Sequence, residues 1–156
     1  MKRQSVNSIA IRLASLTIAC LIGFVTTYVF NRVYVRFEKV GMGSIAMGNN
    51  GRGGFSSYRA SDGVSVSFDR LDFPSAEEAT QAFENVLSAS NRIIARELLR
   101  DRQAKVVVGE RVVAVFPADD GREWPMMVCR DGTKLYEISS TSLRHILIFE
   151  KGHRRF

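Results

Sequence analysis

A chain of 156 residues, 46% apolar and 24% charged, has room for one ordinary domain with a core, and ten Phe beside only twelve Gly and three Pro exclude collagen-like and disordered chains. Two distant cysteines, Cys20 and Cys129, exclude a disulfide framework and give no support to a cysteine zinc site. The net charge of +6 is lopsided: residues 1–61 carry eight Lys or Arg against Glu38, residues 62–150 carry eleven basic and fifteen acidic groups, and Lys151, Arg154 and Arg155 follow, so the expected domain is slightly acidic, the opposite of a duplex-binding face, and no nucleic acid is expected as a partner.

Residues 1–8, with Lys2 and Arg3, read as a short cytoplasmic tail, and residues 9–33 as a transmembrane α-helix. From Leu13 to Phe30 no residue is charged, a run that rises ~27 Å as a helix against the ~30 Å of bilayer hydrocarbon. Arg12 can snorkel to the headgroups, and Tyr28, Phe30 and Tyr34 are placed like an aromatic belt at the other boundary. A cleaved signal peptide fits at one end only, since no small-x-small pair follows Phe30. A lipoprotein signal ending at Cys20 has Ala19 in place but Thr17 where Leu is usual. A buried core helix would oblige a short chain to hide a helix that is apolar all round. The expectation is a single-pass signal-anchor in the cell membrane, held by lipid, with the N-terminus cytoplasmic and the domain on the outer side. The basic flanks, Lys2, Arg3 and Arg12 against Arg32, Arg36 and Lys39, are evenly matched and leave orientation to the short N-terminus.

The stretch 41–60, rich in Gly with Asn49 and Asn50 adjacent, reads as a flexible linker. Its Gly51, Arg52, Gly53, Gly54 run lacks the flanking strand, helix and Lys-Ser/Thr of a phosphate loop. An α+β domain is expected over 62–151. Val64, Val66 and Phe68 alternate with polar residues as in a half-buried strand, and Ser75 with Glu78 forms a capping box for a helix over about 75–90. Strands are expected over 92–98, over 106–116 with a bulge or close approach at Gly109, over 124–130, and over 134–139 after an Asp131-Gly132 turn. A helix capped by Thr141 or Ser142 then carries Leu143, Ile146, Leu147 and Glu150 along one side, and residues 152–156 form a basic tail. The order β-α-β-β-β-β-α predicts an antiparallel sheet with one face packed by two helices.

No motif carries a sharp chemistry. Asp119, Asp120 and Glu123 form an acidic loop without the regular spacing of a calcium site. Cys129 lies among Met126, Met127 and Val128, the setting of a small buried hydrophobe rather than a nucleophile. His145 and Glu150 stand five apart, off a shared helical face, and His153 falls in the tail. Trp124 before Pro125 reads as a core anchor, or, if exposed, as a hot spot for a protein partner. No catalytic, cofactor-binding or metal-binding residue is assigned. The expectation is a membrane-tethered, non-catalytic binding or assembly module with a protein partner. The alternative is a small tethered hydrolase or thiol enzyme using Cys129 or the 119–123 loop, which requires Cys129, His145 and those carboxylates to converge.

Overall fold

In the computed structural model, which describes residues 35–47, 50–100 and 106–153, the elements run β1 (Phe37–Met47), β2 (Gly51–Ala60), β3 (Ser65–Asp72), α1 (Ala76–Ser88), β4 (Arg92–Arg100), β5 (Val107–Pro117), β6 (Glu123–Asp131), β7 (Lys134–Ser140) and α2 (Leu143–His153). The strands form one sheet in the order β1-β2-β3-β7-β6-β5-β4, with every neighbouring pair antiparallel. Two meanders, β1–β3 and β4–β7, therefore meet at a β3–β7 seam. Four antiparallel steps leave β3 and β4 parallel, so their connection has to cross the sheet, and α1 is that crossover.

The start of α1 follows from its capping box: the Ser75 hydroxyl accepts the Glu78 backbone N–H at 3.1 Å, with Glu77 and Glu78 in the first turn. Ala79, Phe83 and Leu87 then fall at helical spacing and bury against Leu71, Val112, Ala114, Val128 and Leu135. A second cluster joins Ile146 and Phe149 of α2 to Val66, Val113, Met127, Cys129, Tyr136 and Ile138. Val112 and Val113, Met127 and Val128, and Leu135 and Tyr136 divide between the two clusters. Because consecutive strand residues point to opposite faces, α1 and α2 lie on opposite faces of the sheet. The expectation of one face packed by both helices is corrected accordingly. Strands β5 to β7 carry apolar residues at both phases, and a sheet covered on both sides requires that.

The stretch 41–60 is not a linker. It supplies β1 and β2, and side chains from other positions do the packing that its glycines cannot. The Phe55 ring lies over Gly43 and the Phe73 ring against Gly51. At Gly53 the backbone of β3 comes so close that a Cβ would enter the envelope of the Arg70 carbonyl, and Gly109 meets the Arg130 carbonyl in the same way. The folded unit accordingly begins at Arg36 rather than at residue 62. At the other end α2 continues through Lys151 and Gly152 to His153, two residues into the expected tail. There the His153 ring stacks on Phe149 at 4.0 Å between centroids, and its Nδ1 donates to the Phe149 carbonyl at 2.9 Å. Both expected hairpin features hold: Gly132 takes a positive φ of 58° in the β6–β7 turn, and β4 pairs with β5. The expected span over 9–33 lies outside the described residues. Among those described, no helix is long and apolar enough to cross a membrane.

Candidate functional site

The outer flank of α1 presents Glu78, Gln81, Ala82, Asn85 and Val86, spaced three and four apart and so aligned in one stripe. Opposite them stand Met47 at the end of β1, Asn50 at the β1–β2 connection and Phe73 just past β3. Together these eight residues line an open groove of about 420 Å³. Its floor is apolar, from Met47, Phe73, Ala82 and Val86. Its rim is made of amides and one carboxylate, with Asn50 Nδ2 donating to Glu78 Oε2 at 2.7 Å and Gln81 Nε2 donating to Asn85 Oδ1 at 3.0 Å. Such a lining offers apolar burial and neutral hydrogen-bond donors and acceptors. Among the described residues the lining holds no thiol, imidazole, hydroxyl or amine, and its one ionisable side chain, Glu78, accepts from Asn50.

The residues singled out from the sequence do not converge. The acidic loop lies at the start of β6 and Cys129 six positions along it, a separation of ~20 Å at the rise of a strand. Asp120 is tied to Arg122, whose side-chain and backbone N–H groups hold its carboxyl below the ordinary range, and Glu123 accepts from Asn91 at 3.2 Å. Trp124 is half-buried rather than central to a core, with the Arg122 guanidinium 5.8 Å from its ring centre, beside a hollow formed with Pro117, Ala118, Asp119 and Asp120. Cys129 is a buried thiol in the α2-side cluster. Among the described residues no group of three or more His, Cys, Asp and Glu could hold a metal ion.

His145 is buried, with Nδ1 2.9 Å from the Ser142 hydroxyl and Nε2 2.8 Å from Asp62 Oδ2. The slight burial of Asp62 pushes its carboxyl up, but the His145 bond, the Val64 N–H and the His145 charge together hold it below the ordinary carboxylate range. The three residue types match a hydrolytic triad, yet the imidazole is sealed under Phe37 while the carboxylate is half exposed, the reverse of what a nucleophilic serine needs. The trio ties the β2–β3 turn to the first turn of α2. Glu150 is engaged separately, by Arg111 at 2.8 Å, and Arg111 also reaches Glu97 on β4.

At the seam Glu137 of β7 stands directly opposite Asp69 of β3 on the α1 face. Burial, then the Asp69 charge, pushes Glu137 up to about 7, and its Oε1 is buried without a hydrogen-bond partner. Asp69 is raised by burial, with the Ser67 hydroxyl pulling the other way. The alternation of β3 foretells the side on which Asp69 lies, but the cross-strand partner depends on a register that brings together residues 68 positions apart. The groove is hidden in the sequence for a related reason: two of its eight lining residues, Met47 and Asn50, come from the stretch that reads as a linker.

Compared with known proteins, the chain matches no family model, no curated protein and no solved structure. What fold and groove define is a class: a small, mainly β domain whose seven-stranded antiparallel sheet carries one helix on each face.

Proposed function

We propose that this chain is a single-pass membrane protein whose domain is a non-catalytic binding module, taking a basic amphipathic segment of a protein partner into the groove between α1 and the β1–β2 hairpin. The observation that carries the reading is the lining itself, an apolar floor with a rim of amides and one carboxylate. The first turn of α1 supplies the polarity of the partner, because Glu77 and Glu78 stand there on a helix that has no Lys or Arg, whereas Glu84 is already paired with Arg96 of β4. The anchor is supported by the charge-free run from Leu13 to Phe30 and its basic flanks.

A photoreactive residue introduced at exposed Gln81 in the full chain tests the reading in living cells. Discrete adducts are expected at position 81, absent from the same probe at Arg144 on α2 and lost when Ala82 is changed to Glu. No adduct at 81, or the same adducts at 144, contradicts it. The tethered enzyme alternative needs Cys129, His145 and the 119–123 carboxylates in one place, whereas that loop and Cys129 stand ~20 Å apart along β6.

A further inference from the structure

Among the described residues β1 and β4 are the edge strands of the sheet, and they are built differently. On β4, Arg92, Arg96, Glu97 and Arg100 place charge along the edge, and a bulge between Ile93 and Ala95 breaks its register, two devices that deter strand addition. On β1 the charges stop at Lys39. From Val40 to Met47 there is no charge and no proline, and the pairing with β2 is regular from Gly41 to Met47, past a single irregularity at Lys39/Gly41. Along that stretch every second residue turns its N–H and C=O away from β2, ready to accept another strand.

We infer that the occupant of this edge is a second copy of the same strand, paired antiparallel about a two-fold axis through Ser44. A two-fold axis normal to the sheet keeps each residue on its own face, so it has to pass through a residue, and Ser44 is the midpoint of the regular stretch. That register sets each large side chain against a small one. On the α1 face Gly41 comes opposite Met47 and Gly43 opposite Ile45. On the α2 face Met42 comes opposite Ala46, and Ser44 meets its own copy. Met42, 75% exposed within one copy, gains cover from the partner strand, and no like charges are brought together. The same operation on β4 about Arg96 sets Arg96 against Arg96 and Arg92 against Arg100, which repels. The inference is independent of the groove reading.

Residues directly opposite on antiparallel strands have Cα atoms about 4.5 to 5.5 Å apart, within disulfide range. Ser44→Cys in the full chain carrying Cys20→Ser is therefore expected to oxidise to a covalent dimer at least tenfold faster than Ile94→Cys on the other edge. Mixing Met42→Cys with Ala46→Cys should give a mixed dimer that neither forms alone. In sedimentation equilibrium of the full chain in detergent, Ser44→Lys, an exposed change that sets two ammonium groups at the axis, should weaken self-association at least tenfold. A monomeric parent chain, an Ile94→Cys link forming as fast as Ser44→Cys, a Ser44→Cys link to some other protein, or undiminished association of Ser44→Lys would each overturn the inference.

Discussion

In the β4–β7 meander the strands bring their own packing: Val112 and Ala114 to one face, Val113 to the other, with Met127 and Val128 doing the same on β6. In the β1–β3 meander β3 brings Val66 and Leu71, but in β1 and β2 the packing is borrowed. The glycines of β1 and β2 are covered by Phe55 and Phe73, while Phe37 and Tyr58 reach across to Phe149 of α2 at 5.1 and 4.7 Å between ring centres. Strands β5 to β7 are held by residues at nearly every position, and β1 and β2 by a few aromatic rings. Glycine can therefore build a strand wherever neighbours supply both the ladder and the cover.

The largest expected effect separates the two halves by deletion. A fragment starting at residue 62 loses β1 and β2, bares the β3 edge and uncovers Phe149, so it should show no cooperative thermal transition. A fragment starting at Arg36 should melt cooperatively. A cooperative melt of the shorter fragment would return 41–60 to linker status. Next comes Gly53→Ala, where the added Cβ meets carbonyl backbone that cannot swing aside, at an expected cost of about 3 kcal/mol in urea unfolding. Gly109→Ala should cost as much in the other half. Gly43→Ala meets only the movable Phe55 ring and should cost less than either. Equal values for Gly43 and Gly53 would show that β2 does not press on β3 as described.

The seam between the halves is sharpened by pH. The ordinary carboxyl value of 4.5 rises to about 7 at Glu137, so between those limits the folded chain holds a proton that the unfolded chain has released. Stability from this group therefore falls as pH rises from 4.5 to 7 and is flat above. Glu137→Gln should match the parent near pH 4 and exceed it at pH 8 by up to ~3 kcal/mol, at 1.36 kcal/mol per unit. Unchanged stability at pH 8 would place the carboxyl in water. The smallest effect is Phe55→Ala, whose ring is 37% exposed and whose loss should cost ~1 kcal/mol by calorimetry, concentrated in β1 and β2. A loss spread evenly over both halves would mean that the ring is not what holds β1.

How much of this was legible follows the same division. Alternation at Val64, Val66 and Phe68, the Ser75–Glu78 box, the β-branched run at 107–115 and the Asp131-Gly132 turn are local signals, and the elements they mark stand within a few residues of expectation. β1 and β2 carry no such signal, because Gly, Ser and Asn between them spell flexibility unless a partner strand is already in place. That omission propagated to the site. Asn85 and Val86 stand on a helix the sequence marks clearly, but Met47 and Asn50, which close the groove against them, belong to the missed half. The placement of α2 was misjudged for another reason: helical spacing identifies which side of a helix is apolar, not which side of a sheet receives it. Asp62 as a partner of His145 is not legible in the sequence because 83 residues separate them, whereas Ser142, three residues away, is an expected cap position.

Amide hydrogen exchange across residues 51–60 tests the central claim most directly, since β2 is flanked by β1 and β3 and each of its residues has a ladder partner on one side or the other. The account predicts exchange slowed by orders of magnitude relative to a free chain, to the level of β3. Free-chain exchange throughout 41–60, with β5 and β6 still protected, would contradict it.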